Sequence, residues 1–329
     1  MTAAYDVAAI GNAIVDVIAQ ADDAFLAAET LAKGSMMLID EDRAHQLYGR
    51  MGPGLETSGG SAGNTVAGVA SLGGRAAYVG KVAGDLLGEV FAHDMRSIGV
   101  TFDTAPLTAG PATARSLINV TADGQRTMCT YLGASTELTA DDVDPAVIEA
   151  SAILYLEGYL FDPVEARRAF AKASAIARTS NRLISLTLSD AFVVERHREA
   201  LLGFIDTQVD IVFGNEVELA SLFQTDDFDA AAKAMGERAR IAAITRSEAG
   251  SVVLCGGQAI TVPAFPVQKV VDTTGAGDQY AAGFLFGLAR GRPLDVCGRL
   301  GSLAAAEVIS HYGPRPQTSL RDLAAASGL

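Results

Sequence analysis

The residues whose types and spacing could do chemistry are concentrated in one heptapeptide, Asp272-Thr273-Thr274-Gly275-Ala276-Gly277-Asp278. An apolar stripe follows it, with Tyr280, Ala281, Phe284, Leu285 and Leu288 on one face, so the Gly-Ala-Gly stretch opens a helix. Glycines let the backbone turn tightly and let successive N–H groups converge on an anion. The helix start adds partial positive charge. Such a cradle suits a phosphoryl group in transfer, whose charge is spread over three oxygens. Asp278 falls in the first turn and is expected to point to the same place. A carboxylate there repels a phosphate, and makes sense as a base that takes a proton from an attacking hydroxyl. A bare Gly-Ala-Gly-Asp reads equally well as a glycine turn with an aspartate cap. The full heptapeptide with this helix behind it is more specific.

The heptapeptide resembles the C-terminal signature of the ribokinase-like, or PfkB, carbohydrate kinase family, and the resemblance runs over nearly the whole chain. Gly59-Gly60-Ser61-Ala62-Gly63-Asn64, followed by Ala67, Leu72, Gly73 and Gly74, resembles the family's N-terminal signature. Gly80, Gly84, Asp85, Gly88 and Gly99-Val100 continue it. Asn215-Glu216-Val217-Glu218, after the run Asp210–Phe213, resembles the NxxE motif. Gly11-Asn12-Ala13-Ile14-Val15-Asp16, Leu186–Phe192 and Val209–Glu216 are similar to stretches of the adenosine kinases within the family. Gln279-Tyr280 departs from the Ala/Ser-Phe common after the catalytic aspartate, which puts local packing in doubt and leaves Asp278 untouched.

The resemblance implies a role for each matching residue, and each has a plainer alternative. Asp16, read as ending the first strand, would accept hydrogen bonds from the ribose 2′- and 3′-hydroxyls, with Asn12 beside it; alone it is a solvated strand-end aspartate. Gly59, Gly60, Ser61 and Asn64 would contact the acceptor, or serve as a helix cap. Arg126 would fold down on the transferred phosphate, with Arg115 the competing choice. Asn215 would meet ATP, and Glu218 would lie near Mg²⁺ and its waters; otherwise the pair is an ordinary helix start with an acidic first turn. Thr245, Ser247 and Gly250, just past a strand, would line the ATP site with Thr274, Gly275 and Gly277. Ile14, Met36, Met37, Leu38, Ile39 and Leu132 could form an apolar slot for a base. The implied cofactors are ATP and Mg²⁺, with a monovalent cation near Asp272 left open. The implied reaction is phosphorylation of the primary 5′-hydroxyl of a nucleoside, adenosine first, a free sugar second. Gly275, Ala276, Gly277 and Arg126 would hold charge while Asp278 acts as base.

These residues need elements to position them. Short apolar runs at Val7–Ile10, Ala76–Val79, Ile153–Leu156, Leu183–Leu188, Ile211–Phe213 and Ala242–Thr245 read as buried strands. Helical periodicity lies between them, at Gly63–Leu72, Gly88–Ile98, Pro163–Thr179, Arg196–Ile205 and Glu216–Phe223. Strand alternating with helix predicts a mostly parallel sheet covered on both faces. The rhythm breaks at Val15–Ile39 and about 112–132, where Ala114–Val120 and Arg126–Leu132 read as a hairpin about Thr121–Gly124. The expectation is an α/β ribokinase-like fold over 1–329, a mostly parallel sheet flanked by helices, with a small β-rich lid from about 15–40 and 110–133.

Composition bounds the partners. The 329 residues are 49% hydrophobic and 19% charged, enough to bury a substantial core. Lys plus Arg is 25 against 39 for Asp plus Glu, a formal charge of −14, which repels nucleic acid and anionic membrane surfaces. Cys129, Cys255 and Cys297 form no CxxC pair, and no signal peptide or membrane span is read, so a cytoplasmic small-molecule enzyme, monomer or homodimer, is expected. Two decoys fall away. Gly59–Gly63 matches the GxSxG nucleophile elbow of hydrolases, with His311 late enough to complete a triad, but no buried strand is expected over Met51–Ser58. Gly74 to Gly80-Lys81 is one residue too long for a P-loop, and Val82 stands where Ser or Thr would hold Mg²⁺.

Overall fold

Apolar runs that need cover on both sides become the strands of a central sheet. The computed structural model describes residues 3–329. Its strands, in chain order, are β1 (Tyr5–Ile10), β2 (Ile14–Gln20), β3 (Met36–Leu38), β4 (Gly54–Ser58), β5 (Ala76–Val79), β6 (Ala114–Val120), β7 (Arg126–Tyr131), β8 (Ser151–Glu157), β9 (Leu183–Thr187), β10 (Ile211–Asn215), β11 (Ile241–Thr245), β12 (Ser251–Cys255) and β13 (Gln258–Val262). Eight form the first sheet, in the order β13-β12-β11-β10-β9-β8-β1-β5. All neighbours from β11 to β5 run parallel, and β12 and β13 add an antiparallel edge. Residues alternate between two cores. Val7, Ala9, Tyr155, Phe213 and Ala243 pack on the helices Ser61–Ser71 and Ala276–Ala289. Ala8, Ile10, Leu154, Leu186 and Val212 pack on the helices Val164–Thr179, Ala191–Gln208 and Phe228–Gly236. Among the described residues, no helix is long and apolar enough to cross a membrane.

The second sheet has the order β3-β7-β6-β2-β4. It draws on the two irregular N-terminal regions and adds β4, which periodicity does not reveal: Gly54 and Leu55 are exposed at an edge, so the segment is no apolar run. The β6–β7 hairpin closes where expected, with the Gly124 N–H donating to the Thr121 carbonyl at 2.8 Å. One expected placement is corrected. Asp16 does not end the first strand; β1 stops at Ile10, and Asp16 is the third residue of β2, inside the second sheet.

Strand register decides what this sheet shows on each face. Asp16 pairs with Ser116 and Thr57, Ser116 with Thr130, and Thr130 with Leu38. Val120 pairs with Arg126, an even number of residues further along, so Arg126 lies on the same face as Asp16. Val15, Arg115, Leu117, Cys129 and Met37 face the other way, where Val15, Leu117 and Cys129 join the main core. Arg115 is thereby placed on the opposite face from Asp16, its guanidinium 5.8 Å from the centre of the Tyr131 ring.

Candidate active site

The Ala276–Ala289 helix begins at Gly275, whose φ of 79° favours glycine and whose Cα faces Pro314 so closely that a Cβ would lie 2.7 Å from that residue's backbone. Past it, among the described residues, no partner takes the N–H groups of Gly277 and Asp278, and a Cβ at Gly277 would meet nothing within 4 Å. The loop therefore ends in free donors beside open space. Asp278 stands there in the first helical turn, half-buried. Ser61 Oγ donates to its Oδ1 at 2.6 Å and Asn64 Nδ2 to its Oδ2 at 3.0 Å. Burial pushes its carboxyl up to about 6, against the pull of these two donors and of Arg315.

Those contacts revise the reading of the Gly59–Asn64 segment. Ser61 does not cap its helix; Gly60 holds the cap position, and the Ala62 N–H is satisfied by Glu157 Oε2 at 2.8 Å. Ser61 and Asn64 hold Asp278. Gly59 makes room for Asp16, since a Cβ would lie 2.5 Å from that carboxylate.

Asp16 is 7% exposed, and no hydrogen bond holds its carboxylate among the described residues. Burial pushes it up to about 7, opposed by the charges of Arg315 and Arg126 and reinforced by Asp278. Arg126, equally buried, places Nη2 2.6 Å from Asp272 Oδ2, and its Nε and Nη1 have no hydrogen-bond partner. The second sheet thus touches the glycine loop through one ion pair. Asp272 also accepts from Thr274 N and Oγ1, at 3.1 and 2.8 Å, and from Gly313 N at 3.0 Å.

Between the strand ends of the first sheet and the starts of the Ser61–Ser71 and Ala276–Ala289 helices runs a narrow cleft of about 80 Å³, lined by Ser61, Thr187, Gly214, Asn215, Glu218, Thr245, Gly277 and Asp278. It lies at the carboxyl ends of β9, β10 and β11, where open α/β sheets bind ligands. Asn215 and Glu218 form a reciprocal cap. Asn215 Oδ1 takes the N–H groups of Val217 and Glu218, both at 2.9 Å, while the Asn215 N–H and Nδ2 donate to Glu218 at 3.1 and 2.7 Å. The plainer alternative, a helix start, accounts for Asn215. Burial lifts the Glu218 carboxyl to about 7. Ser247 is exposed in a short 3₁₀ turn, and Gly250 is packed into the β13 backbone, so these two stand outside the cleft that Thr245 reaches.

The apolar slot is divided by register. Met36 and Leu38, 49% and 59% exposed, share Asp16's face, as does Ile14. Met37 and Ile39 pack into the core on the other side, and half-buried Leu132 follows β7.

Three site residues escaped sequence reading. Glu157, 1% exposed at the end of β8, accepts from Asn12 N and Nδ2 at 3.3 and 2.9 Å besides Ala62 N, and burial raises it to about 7. An acid ending an otherwise apolar strand was its signal. Gln279, fully buried, donates to the carbonyls of Asn64 at 2.9 Å and Pro314 at 3.0 Å. The departure at this position is therefore a cross-link between three segments as well as local packing. Arg315 donates through Nε to Asn64 Oδ1 at 3.3 Å and through Nη1 to Ser58 Oγ at 2.7 Å. Nothing in its Gly-Pro-Arg-Pro context announces that contact.

The hydrolase decoy fails on geometry. A strand does precede Ser61, but β4 is an exposed edge strand of the second sheet and not the buried strand an elbow needs. Ser61 is bonded to a carboxylate, and His311 is paired with Glu307 at 3.1 Å.

Known proteins resolve the class. The model of the pfkB family carbohydrate kinases matches residues 6–320. The structure is similar to adenosine kinase from Sinorhizobium meliloti, 54% identical with a TM-score of 0.92, covering 98% of this chain and 99% of that one. It is also similar to a probable sugar kinase from Rhizobium etli CFN 42, 51% identical with a TM-score of 0.93, covering 99% of each. Adenosine kinase 2 of Arabidopsis thaliana is 25% identical over 328 residues, 92% of this chain and 93% of the relative. Joined to the carboxylate at the glycine-loop helix, these matches establish that the chain belongs to the pfkB family of carbohydrate kinases, as a phosphotransferase acting on an alcohol group.

Proposed function

We propose that this kinase transfers the γ-phosphoryl group of ATP to the 5′-hydroxyl of a nucleoside, adenosine first, with Asp278 as general base. The observation that carries the reading is Asp278 itself, fixed by Ser61 and Asn64 beside the free N–H groups of Gly277 and Asp278. As the acceptor oxygen bonds to phosphorus and the bond to ADP breaks, the hydroxyl proton passes to Asp278. The free amides and the spare N–H groups of Arg126 face the charge that builds on the phosphoryl oxygens. Asp16, buried with unspent acceptors, suits the paired ribose hydroxyls. Ile14, Met36 and Leu38 on the same face offer an apolar wall to a flat base, and the 54% identity to the Sinorhizobium enzyme points the same way. The second sheet acts as the lid; closing it excludes water as a competing acceptor.

ATP would lie along Thr245, Thr274 and Gly277. The donors fit a Mg²⁺ ion held through water: each Glu218 oxygen takes one bond from Asn215 and keeps a lone pair facing the cleft. Bound there, the ion would supply positive charge to offset that of the phosphates. A monovalent cation beside Asp272 gains no support, because each of its carboxylate oxygens already faces two donors.

The second reading is a sugar kinase, favoured by the 51% identity to the probable sugar kinase from Rhizobium etli. Turnover of adenosine, inosine, guanosine, ribose and fructose with ATP and Mg²⁺ separates the two. The expected order places adenosine first; a free sugar ahead of every nucleoside by about tenfold or more in kcat/KM, some 1.4 kcal/mol, removes the nucleoside assignment and leaves the kinase.

A further inference from the structure

Arg315 stands in the loop after the Leu294–Val308 helix, flanked by Pro314 and Pro316, and that loop is pinned at three points. The Gly313 N–H donates to Asp272, Gln279 Nε2 donates to the Pro314 carbonyl, and the N–H groups of Gln317 and Thr318 donate to Glu307 Oε1 at 3.0 and 2.8 Å. The guanidinium is therefore delivered to a fixed place. An amide side chain has one accepting and one donating end. With Asn64 Oδ1 facing Arg315 Nε, its Nδ2 is left to face Asp278. A flipped Asn64 would set its carbonyl oxygen against the carboxylate and its N–H₂ against a cation. Gln279 adds a second hold, bonding the Asn64 backbone carbonyl.

We propose that Arg315 is a positioning residue for phosphoryl transfer: it locks the Asn64 amide in the orientation that holds Asp278. The inference rests on the reading of Asp278 as the base. The charged and titratable groups around it come from every element packed there. Asp16 and Arg126 belong to the second sheet, Asp94 to the Leu86–Ser97 helix, Tyr78 to β5, and Tyr155 and Glu157 to β8, with Tyr159 just beyond; Glu218 lies in the first turn of the Glu216–Phe223 helix. Asp278 raises Asp16, Glu157 and Glu218 as burial does, and Arg315 draws both Asp16 and Asp278 down. Burial itself brings Arg315 down to about 10, which leaves it charged at neutral pH.

The test compares wild type with Arg315→Gln, Arg315→Lys and Asp278→Asn. The acceptor is whichever of adenosine, inosine, guanosine, ribose and fructose gives the highest kcat/KM with ATP and Mg²⁺. For each protein kcat, both KM values and Tm are measured from about pH 5 to 9. Arg315→Gln removes the charge and keeps a polar side chain; its acid limb should move up by about one pH unit, because an opposite charge nearby lowers a carboxylate by about that much or more. Arg315→Lys should return the limb to its wild-type position while kcat stays depressed, since an ammonium lacks the fixed fork that serves Asn64 and Ser58 together. A limb that stays put in both variants, with losses uniform across pH and tracking Tm, overturns the proposal and leaves Arg315 as scaffold. An active Asp278→Asn, or turnover of none of the five acceptors, removes the underlying reading instead. An inactive Asp278→Asn beside an unshifted Arg315→Gln removes only the role of Arg315.

Discussion

Replacing Asp278 with Asn is the most direct perturbation of the chemistry, and its size follows from the contacts. The side chain is isosteric and its surroundings can adapt: the new carbonyl oxygen accepts from Asn64 Nδ2, now 3.0 Å from Oδ2, and the new N–H₂ faces Ser61 Oγ, whose hydroxyl rotates to accept. The fold should therefore survive. What disappears is the proposed proton acceptor, and general-base catalysis is worth about 10² to 10⁴ in rate. The carboxyl stands at about 6 in the folded protein, above the usual aspartate range, because of burial. The ionised form is the proposed active one, so wild-type kcat at saturating substrates should rise through about pH 6 and at pH 5 stand near a tenth of its plateau. The same shift acts on stability. A carboxyl raised on folding stabilises the folded state fully below its unfolded value near 4, and that contribution is lost as pH rises through 6. At pH 8 the variant, with no charge to bury, should melt no lower than wild type. Steady-state kinetics and a melt at pH 6 and 8 read both effects. A variant retaining kcat within about tenfold, at wild-type Tm, would show that another group takes the proton.

Other substitutions separate the acceptor, the anion cradle and the scaffold. Asp16→Ala should raise the KM of the acceptor by about tenfold or more, since a hydrogen bond to a charged group is worth about 1.5–3 kcal/mol, while the KM of ATP stays near wild type; equal effects on both would count against its assignment. Gly277→Val places its Cβ in open space beside the free amides, so ATP turnover should fall without a loss of Tm. Gly275→Val, at φ 79° and 2.7 Å from the Pro314 backbone, should instead lower Tm; a reversal of that pair would mean the cradle has been put on the wrong glycine.

Much of this was legible because period and motif coincide with physics that acts locally. Ala76–Val79 and Ala114–Val120 are strands at the bounds their residues predict, since an apolar run fixes a buried strand and a Thr-Ala-Asp-Gly turn fixes a hairpin. The position of Asp278 in the first turn of a helix was legible because the Gly-Ala-Gly stretch is followed by an apolar helical stripe. What stayed hidden depends on contacts distant in sequence. Ser61 reads as a cap or a ligand contact until the chain brings Asp278, 217 positions away, to its hydroxyl. Arg126 and Arg115 look alike in a hairpin; only pairing with β2 shows that one shares Asp16's face and the other does not. Gln279 signals nothing but a polar residue on an apolar helix, and its partners at Asn64 and Pro314 come from both ends of the chain. β4 was missed because an edge strand need not be apolar.

A chain of formal charge −14 that handles a triphosphate needs its acids sorted, and the hydrogen bonds do the sorting. Asp16, Glu157, Glu218 and Asp278 are all driven by burial to about 6 or 7, so charge alone does not distinguish them. Glu157 is committed to three N–H groups that tie β8 to Asn12 and to the Ser61–Ser71 helix. Glu218 is committed to capping its own helix with Asn215. Asp278, like Glu218, takes one donor on each oxygen and Asp16 takes none from the described residues; with Glu218 proposed to face Mg²⁺, Asp278 and Asp16 are left to meet hydroxyl groups. One belongs to the second sheet and the other to the Ala276–Ala289 helix, and they feel each other's charge, with Arg315 near both. An acceptor matched to that pair presents hydroxyls in two places, a primary one at Asp278 and a vicinal pair at Asp16. A ribose ring spans such a pair, and the exposed Met36 and Leu38 beyond Asp16 are what a base attached to that ribose would cover.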